Sequence, residues 1–199
     1  MWDRRYAGDD YVFGTAPNAF LASEADRLVA GTSALAVADG EGRNGVWLAE
    51  RGLDVLSVDA SAVALAKARR LAESRGVRIS TELVDLTAWD WPAEAFDAVV
   101  AIFIQFVGPA GREAIFAGMR RALKSGGLLL LQGYRPEQLA YGTGGPKAIE
   151  NLYTRDLLER AFGDFEILSL REHDDEVQEG SGHSGRSALI DLVARKPVA

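Results

Sequence analysis

The residues of this chain whose types and spacing could do chemistry are Asp39-Gly40-Glu41-Gly42-Arg43-Asn44 and, further along, Val58-Asp59. The first string closes the apolar run Leu35-Ala36-Val37-Ala38, and the second closes Val55-Leu56-Ser57. Together they read as a strand, a tight glycine turn, a helix and a second strand ending in a carboxylate. Such a unit aims backbone N–H groups at a helix N-terminus toward an anionic or zwitterionic ligand, and sets an acid where a ribose presents its hydroxyls. An adenosine-bearing cofactor is the ligand to expect. Taken literally, Gly40 to Gly45 also satisfies the dinucleotide pattern G-x-G-x-x-G, so a nicotinamide-dependent oxidoreductase is one reading. Against it, the length leaves no room for a second substrate domain, and no tyrosine is followed four residues later by lysine.

Positioning these groups requires a sheet. Strand and helix signals alternate from residue 34 to about 135, which predicts a parallel sheet covered by helices on both faces. Strands are expected near 34–38, 53–58, 77–84, 95–104 and 127–134, and helices near 42–51, 61–75 and 110–123. Ser61 suits the N-cap of the second of these helices. Lys67, Arg69, Arg70 and Arg75 load its C-terminal half, where cations favour the helix dipole, and Gly76 follows as a left-handed terminator. Lys124-Ser125-Gly126-Gly127 turns the chain into the wholly apolar Leu128-Leu129-Leu130-Leu131. A glycine- and proline-punctuated stretch follows, with Tyr134 and Tyr141, and reads as a lid or binding loop. After a helix near 154–161, strands near 164–171 and 187–195 form an antiparallel pair, because the polar, glycine-rich segment between them has no helical period. The whole of 1–199 is expected to be a single domain: an aromatic cap over 1–33, with Trp2, Tyr6, Tyr11, Phe13 and Phe20, and a core over 34–199.

Composition narrows the partners. A net charge of −7 without a basic block argues against nucleic acid. No apolar run reaches the roughly 18 residues of a membrane span, and the first residues are charged, so no membrane and a cytoplasmic location are expected. Cysteine is absent, and the two histidines, His173 and His183, lack helical metal-ligand spacing, so no metal is expected. The acidic run around His173 reads as a solvated hairpin, and Trp89 and Trp91 as packing at a loop edge.

At Gly40-Glu41-Gly42-Arg43-Asn44 followed by Val46-Trp47-Leu48-Ala49, with Val58-Asp59, Val84-Asp85-Leu86 and Lys124-Ser125-Gly126-Gly127, the chain resembles the class I S-adenosylmethionine-dependent methyltransferases. Within them it is similar to the small TehB-type branch named for tellurite resistance, over about residues 34–196, with further echoes in Trp2-Asp3…Tyr6 and Glu179…His183…Arg186. The resemblance implies a Rossmann-like α/β fold, a seven-stranded mostly parallel sheet with a C-terminal antiparallel hairpin. It also implies S-adenosyl-L-methionine as cofactor and a small-molecule acceptor such as a thiol or a chalcogen oxyanion, handled by a monomer or homodimer. Gly40 and Gly42 would carry the methionine moiety, Asp59 the ribose hydroxyls, and Asp85 with Leu86 the adenine. Arg43, Asn44, Ala60 and Gln105 complete the expected cofactor set, with local ion pairing as the other reading of Arg43.

The family usually has an acid and a glycine where this chain has Ala36 and Ala38. Asp39 is expected to replace the missing acid beside the methionine amine. Acceptor-side residues should follow the later strands: Gln105 and Phe106, then His183 as base and Arg186 as an anion holder, in a hairpin segment that otherwise reads as an exposed turn. Tyr6, Tyr11, Phe13 and Phe106 could line the sulfonium, since aromatic faces attract cations. A non-catalytic protein that binds adenosyl ligands through an eroded turn is the alternative.

Overall fold

In β1 (Ser33–Val37) every residue after the first is buried, and successive side chains leave on opposite sides of the strand. Leu35 and Val37 join Ile115, Phe116 and Met119 of helix α5 (Pro109–Ala122) and Leu158 and Phe162 of α7 (Arg155–Phe162). Ala34 and Ala36 join Phe20 and Leu21 of α2 (Ala19–Ser23) and Leu48 of α3 (Arg43–Glu50). One apolar strand is thus the centre of a helix–sheet–helix sandwich, described over residues 2–198 by a computed structural model.

The sheet has seven strands in the order β3-β2-β1-β4-β5-β7-β6, with β2 Asp54–Asp59, β3 Ser80–Leu83, β4 Phe96–Ile102, β5 Leu123–Tyr134, β6 Glu166–Glu179 and β7 His183–Arg195. The first five run parallel, and β7 lies antiparallel between β5 and β6. Strand order reverses between β1 and β4, the place where open sheets of this kind leave a crevice at their C-terminal edge. Helix α4 (Ala62–Ser74) begins as its sequence implies, with Ser61 Oγ accepting the Ala64 N–H at 3.1 Å, and the chain leaves it through Gly76 at φ +69°. Trp91 is buried and Trp89 is half-buried against the same cluster. Two short helices, α1 (Trp2–Arg5) and α6 (Gln138–Tyr141), belong to the segments that cover the crevice.

Four expectations need correction. Strand β3 is shorter than 77–84, because an edge strand with exposed Glu82 and Leu83 has a partner on one side only. Residues 124–127 do not break β5: the pairing skips from Phe96↔Leu123 to Ala98↔Leu128 and absorbs them as an irregularity within the strand. Lys67 is not a solvated dipole partner but is buried in an ion pair with Glu41. The last two strands are far longer than 164–171 and 187–195. They pair from Glu166↔Arg195 to Glu179↔His183 around the turn Gly180-Ser181-Gly182. Strand β7 starts six residues before Leu189, which is paired with Tyr134 at the end of β5. The hairpin therefore overhangs the sheet by roughly 20 Å at about 3.3 Å per residue. Both faces of the overhang can carry polar residues, which hid the strands from an alternation argument.

Candidate active site

The C-terminal ends of the parallel strands and the overhanging hairpin all open on one edge of the sheet, and a cavity of about 520 Å³ lies there. That volume is in the ordinary range for a small-molecule site. Topology orders its lining. Asp85 and Leu86 follow β3, Asp59 and Ala60 close β2, and Ala38 to Glu41, Arg43 and Asn44 follow β1. Phe103, Gln105 and Phe106 follow β4, Tyr134 ends β5, and His183 begins β7. The N-terminal segment roofs one side with Trp2, Tyr6 and Phe13, and the glycine-rich loop contributes Gly144, Gly145, Pro146 and Asn151.

At the turn, Gly42 takes φ +86° as the residue before α3, and a Cβ there would lie 2.8 Å from the Cα of Ala68. Its glycine serves helix packing as much as ligand access. Gly40, at φ +59°, donates its N–H to Asp59 Oδ2 at 2.9 Å, while Asp59 Oδ1 accepts the Ser61 N–H at 2.9 Å. Burial raises the Asp59 pKa although the N–H groups of Ser61, Gly40 and Ala60 lower it, and because each carboxylate oxygen accepts more than one bond, acceptor capacity remains toward the cavity. Asp39 accepts Ser57 Oγ at 2.8 Å and the Gly45 N–H at 3.2 Å, and burial lifts its pKa to about 6. Asp85, by contrast, is exposed. Its Oδ1 accepts the Thr87 hydroxyl and N–H, which hold its pKa low and leave Oδ2 free.

Ala38 carries φ +48°, a left-handed backbone that alanine rarely adopts. Ala38→Gly is therefore expected to raise stability by about 1 kcal/mol, in the range a single strained residue stores. Equilibrium urea unfolding at constant m-value reads this directly, and an unchanged midpoint would contradict it. Phe103 is also left-handed, at φ +55°, where the chain turns out of β4 and sends an aromatic ring into the cavity. Sequence reasoning missed Phe103, because it reads as one more apolar strand residue.

At the hairpin end, His183 sits between the rings of Phe13 and Phe103, each with its centroid 4.5 Å away, and 5.9 Å from that of Tyr134. It is not on an exposed turn. Burial lowers its pKa, so the ring is neutral at pH 7. Its Nδ1 is 3.9 Å from Glu179 Oε2, too long for a hydrogen bond. The same Glu179 oxygen accepts Arg43 Nη2 at 2.6 Å, while Oε1 accepts Asn18 Nδ2 at 2.8 Å. Burial pushes the Glu179 pKa up, but the Arg43 guanidinium bonded to it outweighs burial and holds the carboxyl well below the usual carboxylate range. Arg43 is thus ion-paired and still lines the cavity, with Nη1 buried and unpartnered.

Several expected residues have other work. Gln105 lines the cavity, yet its amide is spent: Nε2 donates to the carbonyls of Tyr134 and Asn151, and Oε1 accepts the Tyr134 N–H. It pins the loop after β5 to the end of β4. Asn44 Oδ1 accepts the Asn18 N–H at 2.9 Å and so anchors the N-terminal segment. Arg186 lies outside the cavity, exposed, 3.4 Å from Asp174 and stacked 5.2 Å over Tyr141. Tyr11 covers Lys67 rather than the cavity. His173 is not simply solvated, since it bonds Asp191 Oδ2 at 2.7 Å. In the sequence Glu179 is only part of a motif; its place beside both Arg43 and His183 depends on hairpin register, which a single strand does not encode.

A family model described as a methyltransferase domain matches residues 34–127. No curated protein matches the sequence. Among solved structures, the chain is similar to one from a study of the conversion of a disulfide bond into a thioacetal group during echinomycin biosynthesis, with TM-score 0.78, 19% identity, and coverage of 98% of this chain and 90% of that one. It is also similar to TehB from Haemophilus influenzae, with TM-score 0.74, 20% identity, and coverage of 98% of this chain but 65% of that one. The N-methyltransferase NodS from Bradyrhizobium japonicum WM9, in complex with S-adenosyl-L-homocysteine, gives TM-score 0.71 at 16% identity, covering 98% and 96%. At these identities the structural likeness speaks for the fold.

Proposed function

We propose that this chain, a class I S-adenosylmethionine-dependent methyltransferase whose residues 34–127 match the family's domain, transfers the methyl group to a small-molecule acceptor, a thiol or a chalcogen oxyanion. The observation that carries the reading is Asp59, a buried carboxylate with acceptor capacity to spare, set beside the glycine turn whose Gly40 N–H it accepts. These residues fit the cofactor. Asp59 suits two ribose hydroxyls, Asp85 Oδ2 and Leu86 suit an adenine, and the unpartnered Arg43 Nη1 suits a carboxylate.

Bound S-adenosylmethionine supplies an electrophilic methyl on a sulfonium. The chain's own contribution is alignment and exclusion of water. The turn and Asp59 fix the nucleoside end, and Tyr6, Phe13 and Phe106 wall the cavity with ring faces that favour a cation. The whole chain is read as one domain acting in the cytoplasm, as a monomer or homodimer, without nucleic acid. In the TehB-type comparison only part of that longer chain is spanned, so the branch is part of this proposal. Calorimetric titration with S-adenosylmethionine, S-adenosylhomocysteine and NADH tests it. Micromolar binding of both adenosyl compounds but not NADH, followed by label transfer in a radiolabelled methyl screen of thiols, selenite and tellurite, is the expected result. Binding of NADH alone would return the glycine turn to a nicotinamide, and adenosyl binding with no acceptor methylated would favour the non-catalytic alternative.

Asp39 is proposed to replace the missing acid and meet the methionine ammonium. Its folded pKa of about 6 lies above the usual carboxylate value, so its stability contribution is full below about pH 4 and is lost as pH rises through 6. Asp39→Asn should therefore match wild type at pH 4 and exceed it at pH 8 by about 2–3 kcal/mol in unfolding free energy. A bound ammonium favours the ionised carboxylate. Wild-type affinity for S-adenosylhomocysteine should thus rise between pH 5 and 7, and the Asp39→Asn profile should be flat. Parallel pH slopes in the two proteins would remove Asp39 from the ligand.

A further inference from the structure

The acceptor end of the cavity is chemically different from its nucleoside end. Around His183 the walls are aromatic: Phe13, Phe103 and Tyr134 surround the imidazole, and all three line the cavity. Cations free to hold an inorganic oxyanion are few at this end. Arg43 is paired with Glu179 at 2.6 Å and its unpartnered Nη1 is taken by the carboxylate of the proposed cofactor, Arg186 lies outside the cavity, and Arg5 lines it but is exposed and stacked on the rings of Trp2 and Phe13. A small, strongly hydrated oxyanion would lose its water among these rings with only a solvent-facing guanidinium in return.

His183 is built as a base of limited strength. Nδ1 is buried, without a hydrogen bond, and faces Glu179 Oε2 at 3.9 Å; this placement leaves Nε2 as the nitrogen that can meet a ligand. Glu179 stays ionised, so a proton taken at Nε2 creates an imidazolium with a carboxylate behind it. Arg43 opposes this charge, and burial opposes it further. Such a base works best on a fairly acidic nucleophile. A thiol, at about 8.5, asks the least of it, whereas a phenol at about 10 is harder and an aliphatic alcohol harder still.

Resting on the methyltransferase reading, we propose that the acceptor is an uncharged thiol with an apolar body, that His183 is its catalytic base, and that Glu179 is the positioning residue for His183. The S–H bond breaks as His183 Nε2 takes the proton, and the thiol sulfur forms its bond to the methyl carbon. The carbon–sulfonium bond breaks with its electron pair returning to the cofactor sulfur, and the proton leaves from His183 to water. The products are a thioether and S-adenosylhomocysteine.

Phenylmethanethiol and selenite are the probes. The protein is first saturated with S-adenosylhomocysteine and then titrated with each in a calorimeter. The expected result is binding of the thiol and none of selenite. The second measurement is kcat/KM for methylation of phenylmethanethiol against pH, in wild type and His183→Gln. Wild type should level off below pH 7. His183→Gln should lose about 100-fold at pH 6.5 and recover about tenfold per pH unit up to the ionisation of the thiol itself. S-adenosylhomocysteine affinity equal to wild type shows that the variant is folded. Failure of wild type to bind S-adenosylhomocysteine overturns the methyltransferase reading, and this inference with it. Binding of that compound together with selenite in preference to the thiol, or a His183→Gln profile parallel to wild type, overturns the thiol proposal alone.

Discussion

Lys67→Met is expected to lower the unfolding free energy by about 3–5 kcal/mol, the usual consequence of leaving one member of a buried ion pair alone. The Lys67 ammonium is 1% exposed and 2.5 Å from Glu41 Oε1, and it donates to the carbonyls of Gly8 at 2.9 Å and Asp10 at 2.6 Å. Glu41 Oε2 in turn accepts the Val12 N–H at 2.7 Å, and the Tyr11 hydroxyl donates to the Lys67 carbonyl. One cation thus ties residues 8–12 of the N-terminal segment to the glycine turn. In Lys67→Met the Glu41 carboxylate is buried without a countercharge. The double variant Lys67→Met/Glu41→Gln should recover part of the loss, since a neutral pair has much less desolvation to meet. Urea unfolding of the three variants checks this. Single variants within 1 kcal/mol of wild type, with limited proteolysis near Gly8 no faster than in wild type, would mean that water reaches the pair and that the segment is not held by it. If the segment detaches before the core unfolds, limited proteolysis near Gly8 will speed up in Lys67→Met while the main transition moves little.

That latch marks where sequence reading stops. Lys67 falls in a helix whose cations have an adequate local explanation in the dipole, and two of its partners are backbone carbonyls some sixty positions away, which no side-chain pattern encodes. The inner strands of the parallel sheet are legible because each holds a short apolar run bounded by glycine or a charged residue, the signature of burial on both faces, whereas the edge strand β3 is polar and largely exposed. Asp59 was legible for a related reason: an acid that ends an apolar run after a glycine turn has few structural uses. The hairpin was half legible. Ala188 to Ala194 are buried and read as a strand, but Asp174 to Glu179 overhang the sheet, and their polarity is that of a loop. The sequence therefore places His183 and Arg186 in one turn. In the strand they are three residues apart and so point to opposite faces, one into the cavity and one away from it. Pairing register, which sets such faces, depends on both strands at once.

Asp59→Ala is expected to weaken S-adenosylhomocysteine binding by several hundred-fold, about 3–4 kcal/mol, if two hydroxyl bonds to a carboxylate contribute about 1.5–2 kcal/mol each. The size of the loss depends on what the free protein already does with this carboxylate. Its oxygens accept the backbone N–H groups of Gly40 and Ser61, the Ala60 N–H also favours the charged form, and burial still raises its pKa. Incoming hydroxyl donors add to these bonds instead of displacing them, so little of their strength is lost to rearrangement. The alanine variant also strands the Gly40 and Ser61 N–H groups, and some loss of basal stability accompanies the loss of affinity. Two measurements separate these effects. Calorimetry gives the affinity, and the ligand-induced rise in Tm, taken relative to each protein's own unliganded Tm, gives the linkage. Asp59→Asn is the sharper control: its amide can accept from only one of the two N–H groups and presents a donor to the other, so its affinity should fall almost as far as that of alanine. Retained affinity in Asp59→Asn would mean that shape, not charge, is recognised at this position. The nucleoside end would then be held chiefly by Asp85, whose exposed Oδ2 makes a weaker and more salt-dependent contact.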